Sequence, residues 1–589
     1  MPTLNWMGKE KVVNHHRDVP YRVLERVPEK GVLDSHGSDC GNMIIHGDNL
    51  EALKALLPEY EGKVDCIYID PPYNTGNEGW VYNDNVNDPR IKKWLGQVVG
   101  KEGEDFSRHD KWLCMMYPRL QLLRRLLSPT GLIFISIDDN ELANLWLLCN
   151  EIFAPSNFVT CISWEKRFTR SNNAKMFASV IEYVLVFRRS GELSVIKAPR
   201  TEKNDSIYSN PDNDSRGVWT SVSCVNPATK EQRPNLVYPM TNPFTGEEVI
   251  HPTNAWKFEH SKYEQYEREN RLYWGQDGRN TYPRLKRFLS ELGDGVVPVN
   301  LWNHEDSGTT DSATRLVQTM LPEQKFDTPK PPRLIERCVE LCPKADALVL
   351  DSFAGSGTTA QAVLDLNAFD GGNRRFVLIE MGDYADELTA ERARRTISGF
   401  ASQSKRLTRV FEKKLTSGNL NQAGKFYEEA LAAKAAIPTG TYDKVEGPKM
   451  DGPSIVVDGV TTSGSIVPGV DSGFSYYELG LALFQGDGTL SPDVTRADLA
   501  RYVWATETRA PYEDLTDEHP YLLGEHAQAV YYLAWEPGEE TTLTYDLLRD
   551  LPRKGSPTVI YADRCAIAPE RLDEMSVVFK RVPDQIARI

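Results

Sequence analysis

The chain contains no uninterrupted apolar run of the roughly 20 residues that a membrane-spanning helix requires. It also contains no Cys-x-x-Cys pair and no His-Cys cluster of the kind that builds a structural zinc site. Where a secretory signal would place an apolar middle, the stretch from Met1 to Lys30 carries His15, His16, Arg17 and Arg22. Nine cysteines are scattered over 589 residues, and the closest pair, Cys338 and Cys342, has the spacing of two small buried side chains on one helix face. These absences predict a cytoplasmic protein with reduced thiols, no metal and no membrane partner. Positive charge is outnumbered too, with 68 Lys and Arg against 84 Asp and Glu and a formal net charge of −16. That balance argues against a protein that grips polyanions, until its distribution is considered. From Thr441 to Ile589 there are 25 acidic and 13 basic residues, which leaves the first 440 residues at about −4. The acidic excess predicts a separate C-terminal unit.

What is present is an alternation of apolar strands and amphipathic helices, interrupted once. Met43 to Ile45 and Val64 to Ile69 read as strands, and Leu50 to Leu57 and Lys111 to Leu127 as helices. Pro129-Thr130-Gly131 reads as a stop before a third strand, Leu132 to Ile137, and a helix follows up to about Phe153. Tyr183 to Phe187 is one more strand. The intervening residues up to Gly308 are polar, aromatic and turn-rich, with Trp164, Trp219, Trp256, Trp274 and Trp302. Basic clusters lie at Lys166, Arg167, Arg170 and Lys175 and again from Arg279 to Arg287. Alternation returns at Pro331, with a helix from Leu334 to Leu341, strands at Ala347 to Leu350 and Phe376 to Ile379, and helices at Thr358 to Leu366 and Glu387 to Ile397. An Ala-rich helix spans Ala423 to Ala436. Gly452 to Gly473 reads as a linker with or without a hairpin. The pattern predicts an α/β protein with a largely parallel sheet. The expected organisation is an N-terminal extension (1–40), two halves of one sheet domain (41–189 and 321–437), an inserted domain (190–320) and an acidic C-terminal α+β domain (438–589).

Two constellations carry chemistry. In the first, the strand ending at Asp351 feeds the loop Ser352-Phe353-Ala354-Gly355-Ser356-Gly357, and Glu380 ends the next strand. Gly355 and Gly357 lack side chains, so a ligand can lie against the backbone, and an acid at the next strand end can accept hydrogen bonds from both hydroxyls of a ribose. No Lys precedes a Ser or Thr in this loop, so it is not an ATPase phosphate cradle. An ordinary tight turn is the alternative. The second constellation is Asp70-Pro71-Pro72-Tyr73 at a strand's carboxyl end. The amine of adenine is a poor nucleophile because its lone pair is delocalised into the ring. Hydrogen bonds from that amine to the Asp70 carboxylate and the Pro71 carbonyl would localise the pair. The prolines fix the backbone, and Tyr73 offers a face on which an extruded base stacks. A proline-rich turn capping a strand is the alternative.

Together the constellations resemble the amino-methylating DNA methyltransferases in which the catalytic motif precedes the cofactor loop, and among these the modification (Mod) subunit of type III restriction-modification systems. The resemblance covers most of residues 41–400. It is carried by His46 to Leu53, Asp70 to Tyr73 with Asn74-Thr75-Gly76, Gly131 to Glu141, Glu182 to Arg189, Phe326-Asp327-Thr328-Pro329-Lys330-Pro331 and Asp351 to Thr359. It implies a Rossmann-like fold that binds S-adenosyl-L-methionine. By it, Asp48 lies near the cofactor's adenine, Phe353, Gly355 and Gly357 line its methionine half, Lys330 and Pro331 close that end, and Glu380 holds the ribose. It implies that residues 190–320 recognise the target in double-stranded DNA, through phosphate contacts, stacking and groove readout, although a domain core accounts for the same aromatics. It further implies adenine N6 as acceptor, since related cytosine-N4 enzymes often carry Ser at the position of Asp70, and a homodimer with a separate helicase-nuclease (Res) partner. The alternatives are a DNA-recognition subunit of a defence complex with vestigial methylation, and an RNA or cytosine-N4 methyltransferase.

Overall fold

The computed structural model describes residues 4–75, 104–169, 176–293, 295–510, 512–555 and 557–586. Gly76, Arg170 and Lys175, singled out above, lie outside the described residues. The chain forms two compact units, one of residues 1–195 and 299–589 and one of residues 196–298.

The larger unit is built on ten strands: β1 (Arg22–Arg26), β2 (Met43–His46), β3 (Val64–Ile69), β4 (Leu127–Ile137), β5 (Phe158–Glu165), β6 (Ile181–Arg188), β7 (Leu301–Trp302), β8 (Leu348–Asp351), β9 (Arg375–Glu380) and β10 (Ser475–Ala482). Their order in the sheet is β1-β10-β2-β9-β8-β3-β4-β6-β5-β7. From β10 to β4 every neighbouring pair is parallel. All six residues of β3 and all four of β8 are buried, as expected of central parallel strands covered on both faces. Ile67, Ile69, Ile133 and Ile135 join one core with Leu53 and Leu56 of helix Asn49–Tyr60, Trp112 and Met116 of helix Glu104–Leu126, and Leu145 and Leu148 of helix Leu142–Phe153. A second series of helices, Pro332–Glu340, Thr358–Asp370 and Glu391–Ser398, packs in sequence.

Because β2, β9, β8, β3 and β4 run in one direction, their last residues share one edge. That edge therefore carries Asp48, Glu380, Asp351 and Asp70 in spatial order, although β8 and β9 come about 280 and about 310 residues after β3 in sequence.

The structure departs from the sequence-based expectation in four places. Pro129-Thr130-Gly131 is no stop: β4 runs through it, and the register jumps from Val64↔Leu127 to Cys66↔Leu132. Those residues bulge out, with Pro129 exposed, so the proline's missing N–H removes no ladder bond. Residues 301–320 belong to the sheet unit, because Leu301 and Trp302 pair with Ser163 and Trp164 of β5. The acidic tail is not a detached unit. Its strand β10 pairs with both β1 and β2, so the N-terminal extension and the tail complete one edge of the sheet. Beyond it the chain forms the expected α+β region, a four-stranded sheet with helices Arg496–Thr508, Tyr545–Asp550 and Pro569–Glu574. Finally, most of the supposed linker is a strand, Ser454–Val467, between Phe400–Lys414 and Lys444–Asp451. Its Val456 and Val457 are fully buried, which the Gly and Ser content concealed.

The smaller unit, 196–298, contains a three-stranded sheet (Leu272–Tyr273, Arg284–Phe288, Trp219–Ser223) and two two-stranded ones. Trp256, Trp274, Tyr238, Tyr263 and Met240 form its core, so these aromatics serve packing. Burial divides the basic cluster. Arg284 and Arg287 face solvent, whereas Lys286 is buried against Asp214 at 3.0 Å and against Asp212.

Candidate active site

A cavity of about 510 Å³ lies at the carboxyl edge where β3 meets β8. Asp70, Pro71, Pro72 and Tyr73 line one part of it. Asp351, Phe353, Gly355 and Glu380 line another, and Phe326 to Lys330 lie between. The cavity thus unites both constellations with the segment that precedes the cofactor loop.

The glycine loop is shaped by what surrounds it. Gly355 has φ +51°, and a Cβ there would sit 3.0 Å from the Phe326 ring. Gly357 has φ +74°, and a Cβ there would meet the Thr389 carbonyl at 2.6 Å. Only glycine satisfies both constraints. The loop is pinned from beneath by Arg392, fully buried, which donates to Ser356 Oγ at 2.9 Å and Thr358 Oγ1 at 2.7 Å. Burial lowers its pKa to about 9. Asp351 accepts from the Phe353 N–H at 3.0 Å and the Thr359 hydroxyl at 2.6 Å, and burial pushes its carboxyl up to about 7. Glu380 accepts from the N–H groups of Gly355 (2.7 Å) and Gly382 (2.8 Å). Burial raises its pKa, and those two donors oppose the rise.

At the other end, the Lys330 ammonium forks across the Asp70 carboxylate at 2.9 and 2.8 Å. It also lies 3.6 Å from Glu182 and 4.9 Å from the centre of the Tyr73 ring. The Tyr73 hydroxyl donates to Asp70 at 2.8 Å, with Glu182 as its alternative acceptor at 3.2 Å. The second oxygen of Glu182 accepts from Lys166 at 2.9 Å. Two carboxylates and two ammonium groups therefore form one nearly buried, neutral cluster, which is the condition for burying charge without a large desolvation cost. Burial pushes the Asp70 carboxyl above the usual aspartate range, against the pull of Lys330. Burial also disfavours the Lys330 ammonium, but Asp70 and Glu182 outweigh it and hold its pKa above the usual lysine range. Glu182 goes the other way: burial would raise it, and Lys330 and Lys166 bring it below the usual range. The indole N–H of Trp112 donates to the Pro72 carbonyl at 2.7 Å and fixes the turn. Among the described residues nothing donates to the Pro71 carbonyl.

Three of the residues singled out in the sequence do not line the cavity. Asp48 caps helix Asn49–Tyr60, accepting from the N–H groups of Leu50 (2.9 Å) and Glu51 (3.2 Å). Pro331 and Gly357 cap helices Pro332–Glu340 and Thr358–Asp370. Sequence reasoning passed over Glu182, Lys166, Trp112, Tyr384 and Arg392. Glu182 left a signal, as a charge within the otherwise apolar run of β6; Lys166 read as part of a basic cluster, and Trp112, Tyr384 and Arg392 as ordinary helix or loop residues.

Residues 64–391, more than half of the chain, match the family model described as DNA methylase. The chain belongs to the DNA methylase family. Among its relatives, the type III restriction-modification enzyme StyLTI Mod subunit of Salmonella typhimurium strain LT2 is 33% identical over 64% of this chain and 57% of its own length. The EcoPI Mod subunit of Escherichia phage P1 is 30% identical, over 71% of this chain and 69% of its own. The type II methyltransferase M.KpnI of Klebsiella pneumoniae is 32% identical, over 61% of this chain and 84% of its own. The chain thus spans little more than half the length of the first of these methylases, and the family match covers both constellations while ending before the acidic region.

Proposed function

We propose that this chain methylates adenine N6 in double-stranded DNA with S-adenosyl-L-methionine, as the modification subunit of a type III restriction-modification system. The observation that carries this reading is the single cavity joining Asp70 and the Pro71 carbonyl to the glycine loop and Glu380. The lining suits this cofactor. It offers glycine backbone, the aromatic rings of Phe326, Phe353 and Tyr384, and the carboxyls of Asp327, Asp351 and Glu380. Carboxyls suit a ribose diol and a cationic centre and repel a polyphosphate. Glu380 would hold the ribose, Phe353 and Gly355 the methionine half, with Lys330 at that end. Asp48, Pro331 and Gly357 would support these contacts through the helices they cap. When bound, the cofactor supplies an electrophilic methyl group.

The chain's own part is to present the amine. Asp70 and the Pro71 carbonyl accept its two hydrogens, which localises the nitrogen lone pair, and Pro71 and Pro72, braced by Trp112, hold both acceptors still. Flipping the adenine out of the duplex brings it to the Tyr73 ring. The 196–298 unit is the proposed target reader, with Arg284 and Arg287 as phosphate contacts. A second copy of the chain and a helicase-nuclease subunit are proposed partners, by similarity to the Mod subunits. No described helix is long and apolar enough to cross a membrane, and the proposed setting is the cytoplasm.

The test is transfer of labelled methyl from S-adenosylmethionine into unmethylated genomic DNA, with nucleoside analysis of the product. Wild type is expected to yield N6-methyladenine. Asp70→Ala is expected to abolish transfer while folding and cofactor binding persist. Full activity in that variant overturns the role of Asp70, and N4-methylcytosine as product overturns the acceptor.

A further inference from the structure

The Asp70 carboxylate, which the proposed function needs for the target amine, is already engaged. Lys330 spans both of its oxygens at 2.9 and 2.8 Å, and the Tyr73 hydroxyl donates to one of them at 2.8 Å. With Oδ1 already accepting two donors and Oδ2 one, an arriving amine hydrogen competes with the ammonium for the carboxylate and loosens its hold. An ammonium only 7% exposed loosens its hold at least cost where another anion stands in reach.

One anion stands in reach. Glu182 Oε2 lies 3.6 Å from the Lys330 nitrogen, just beyond a close ion pair, and its side chain is 8% exposed. The same oxygen is the alternative acceptor of the Tyr73 hydroxyl at 3.2 Å, so Glu182 and Asp70 share one phenol as well as one ammonium. Lys166 holds the far oxygen of Glu182 at 2.9 Å, which fixes the carboxylate in place without filling the side facing Lys330.

We propose that Glu182 is a positioning residue that takes over the Lys330 ammonium as the target amine takes Asp70. A displacement of under about 1 Å turns the 3.6 Å separation into a normal charge-assisted hydrogen bond. The cluster keeps its net charge and no proton moves. Lys330 then acts as a cover on Asp70 that yields only to a group able to donate in its place, and Glu182 makes that exchange possible. This inference rests on the reading of Asp70 as the acceptor of the target amine.

The experiment compares wild type, Glu182→Gln, Glu182→Asp and the double variant Glu182→Gln/Lys330→Gln. It measures initial methylation rates at saturating unmethylated genomic DNA and S-adenosylmethionine, alongside cofactor affinity by calorimetry. Glutamine keeps the shape and can still accept from Lys166, but it turns a donor toward Tyr73 and Lys330 and offers no charge to receive the ammonium. Glu182→Gln is expected to lower kcat by about tenfold or more while cofactor affinity holds within about twofold. Glu182→Asp keeps the charge and should retain most of the rate. The double variant should be faster than Glu182→Gln alone, because without the ammonium there is nothing to take over; a merely structural role for Glu182 would make it slower. A wild-type kcat in Glu182→Gln, an aspartate variant as slow as the glutamine one, or a double variant no faster than Glu182→Gln each overturns the proposal. If Glu182→Gln does not fold, the other two are judged against wild type, and a kcat lowered by about tenfold or more in either Glu182→Asp or the double variant overturns the proposal. Failure of wild type itself to methylate adenine refutes the underlying reading instead.

Discussion

Replacing Asp351 with asparagine should stabilise the protein, and increasingly so as pH rises. Asp351 is 2% exposed, and no cation within its hydrogen-bond shell offsets the burial: its partners are the Phe353 N–H and the Thr359 hydroxyl. Burial raises the carboxyl from the ordinary 3.8 to about 7. The folded state therefore holds this proton more tightly than the unfolded chain. The stability associated with it is fully present below the ordinary value and is lost as pH rises through about 7. By linkage, the accumulated cost is about 3 kcal/mol at pH ~6 and about 4 kcal/mol at pH ~8. Asparagine matches the shape and accepts from the Phe353 N–H, and the Thr359 hydroxyl can turn to accept from its amide. It carries no charge, so it escapes the penalty. Urea unfolding followed by tryptophan fluorescence should show the stability of Asp351→Asn minus that of wild type growing by about 1 kcal/mol from pH ~6 to pH ~8. The absolute gain depends on how well the amide is received, whereas the growth with pH does not. A difference that is flat or shrinks with pH refutes the reasoning.

Two further perturbations test other parts of the structure. Trp112→Phe removes the donor that fixes the Pro72 carbonyl at 2.7 Å, and should cost about 2 kcal/mol of stability. It should slow methylation more than it weakens calorimetric cofactor binding, and an unchanged methylation rate would show that the turn holds itself. Lys286→Met removes the ammonium shared by Asp212 and Asp214, although Asp214, 5% exposed, keeps Arg216 at 2.6 Å, and should destabilise the 196–298 unit by about 2 kcal/mol. Limited proteolysis should then cut that unit first, with cofactor affinity intact; equal protection in wild type and variant contradicts the assignment of Lys286 to the core.

Much of the site was legible because strand ends punctuate the sequence. Asp70, Asp351 and Glu380 each follow an apolar run of four or more residues, and parallel strands must bring such ends to one edge. What stayed hidden depends on partners distant in sequence. Lys330 and Asp70 are 260 positions apart, and nothing local says that one covers the other. Asp48 looks the same in sequence whether it contacts a ligand or caps a helix. Lys286 and Lys166, which add to basic clusters on paper, are spent on buried and half-buried acids. The acidic tail misled for a related reason: net charge reports the surface of a segment, while membership of a sheet is set by a few buried residues such as Ser475 and Tyr476 of β10.

The split of the site between two sequence blocks follows from how the sheet is closed. In the first block the chain lays down β2, β3 and β4, but β2 and β3 are not hydrogen-bonded to each other. The gap between them is filled by β9 against β2 and β8 against β3, both from the second block. Residues 41–189 alone would therefore leave two facing edges of central strands unpaired, which a buried sheet does not tolerate. The two halves are one folding unit, and the residues between them are an excursion from it. The same closure that pairs β8 with β3 carries Lys330 to Asp70 and sets the glycine loop beside the Asp-Pro-Pro-Tyr turn. The cavity is thus a product of completing the sheet, and the two constellations acquire a common function only when the last central strands are in place.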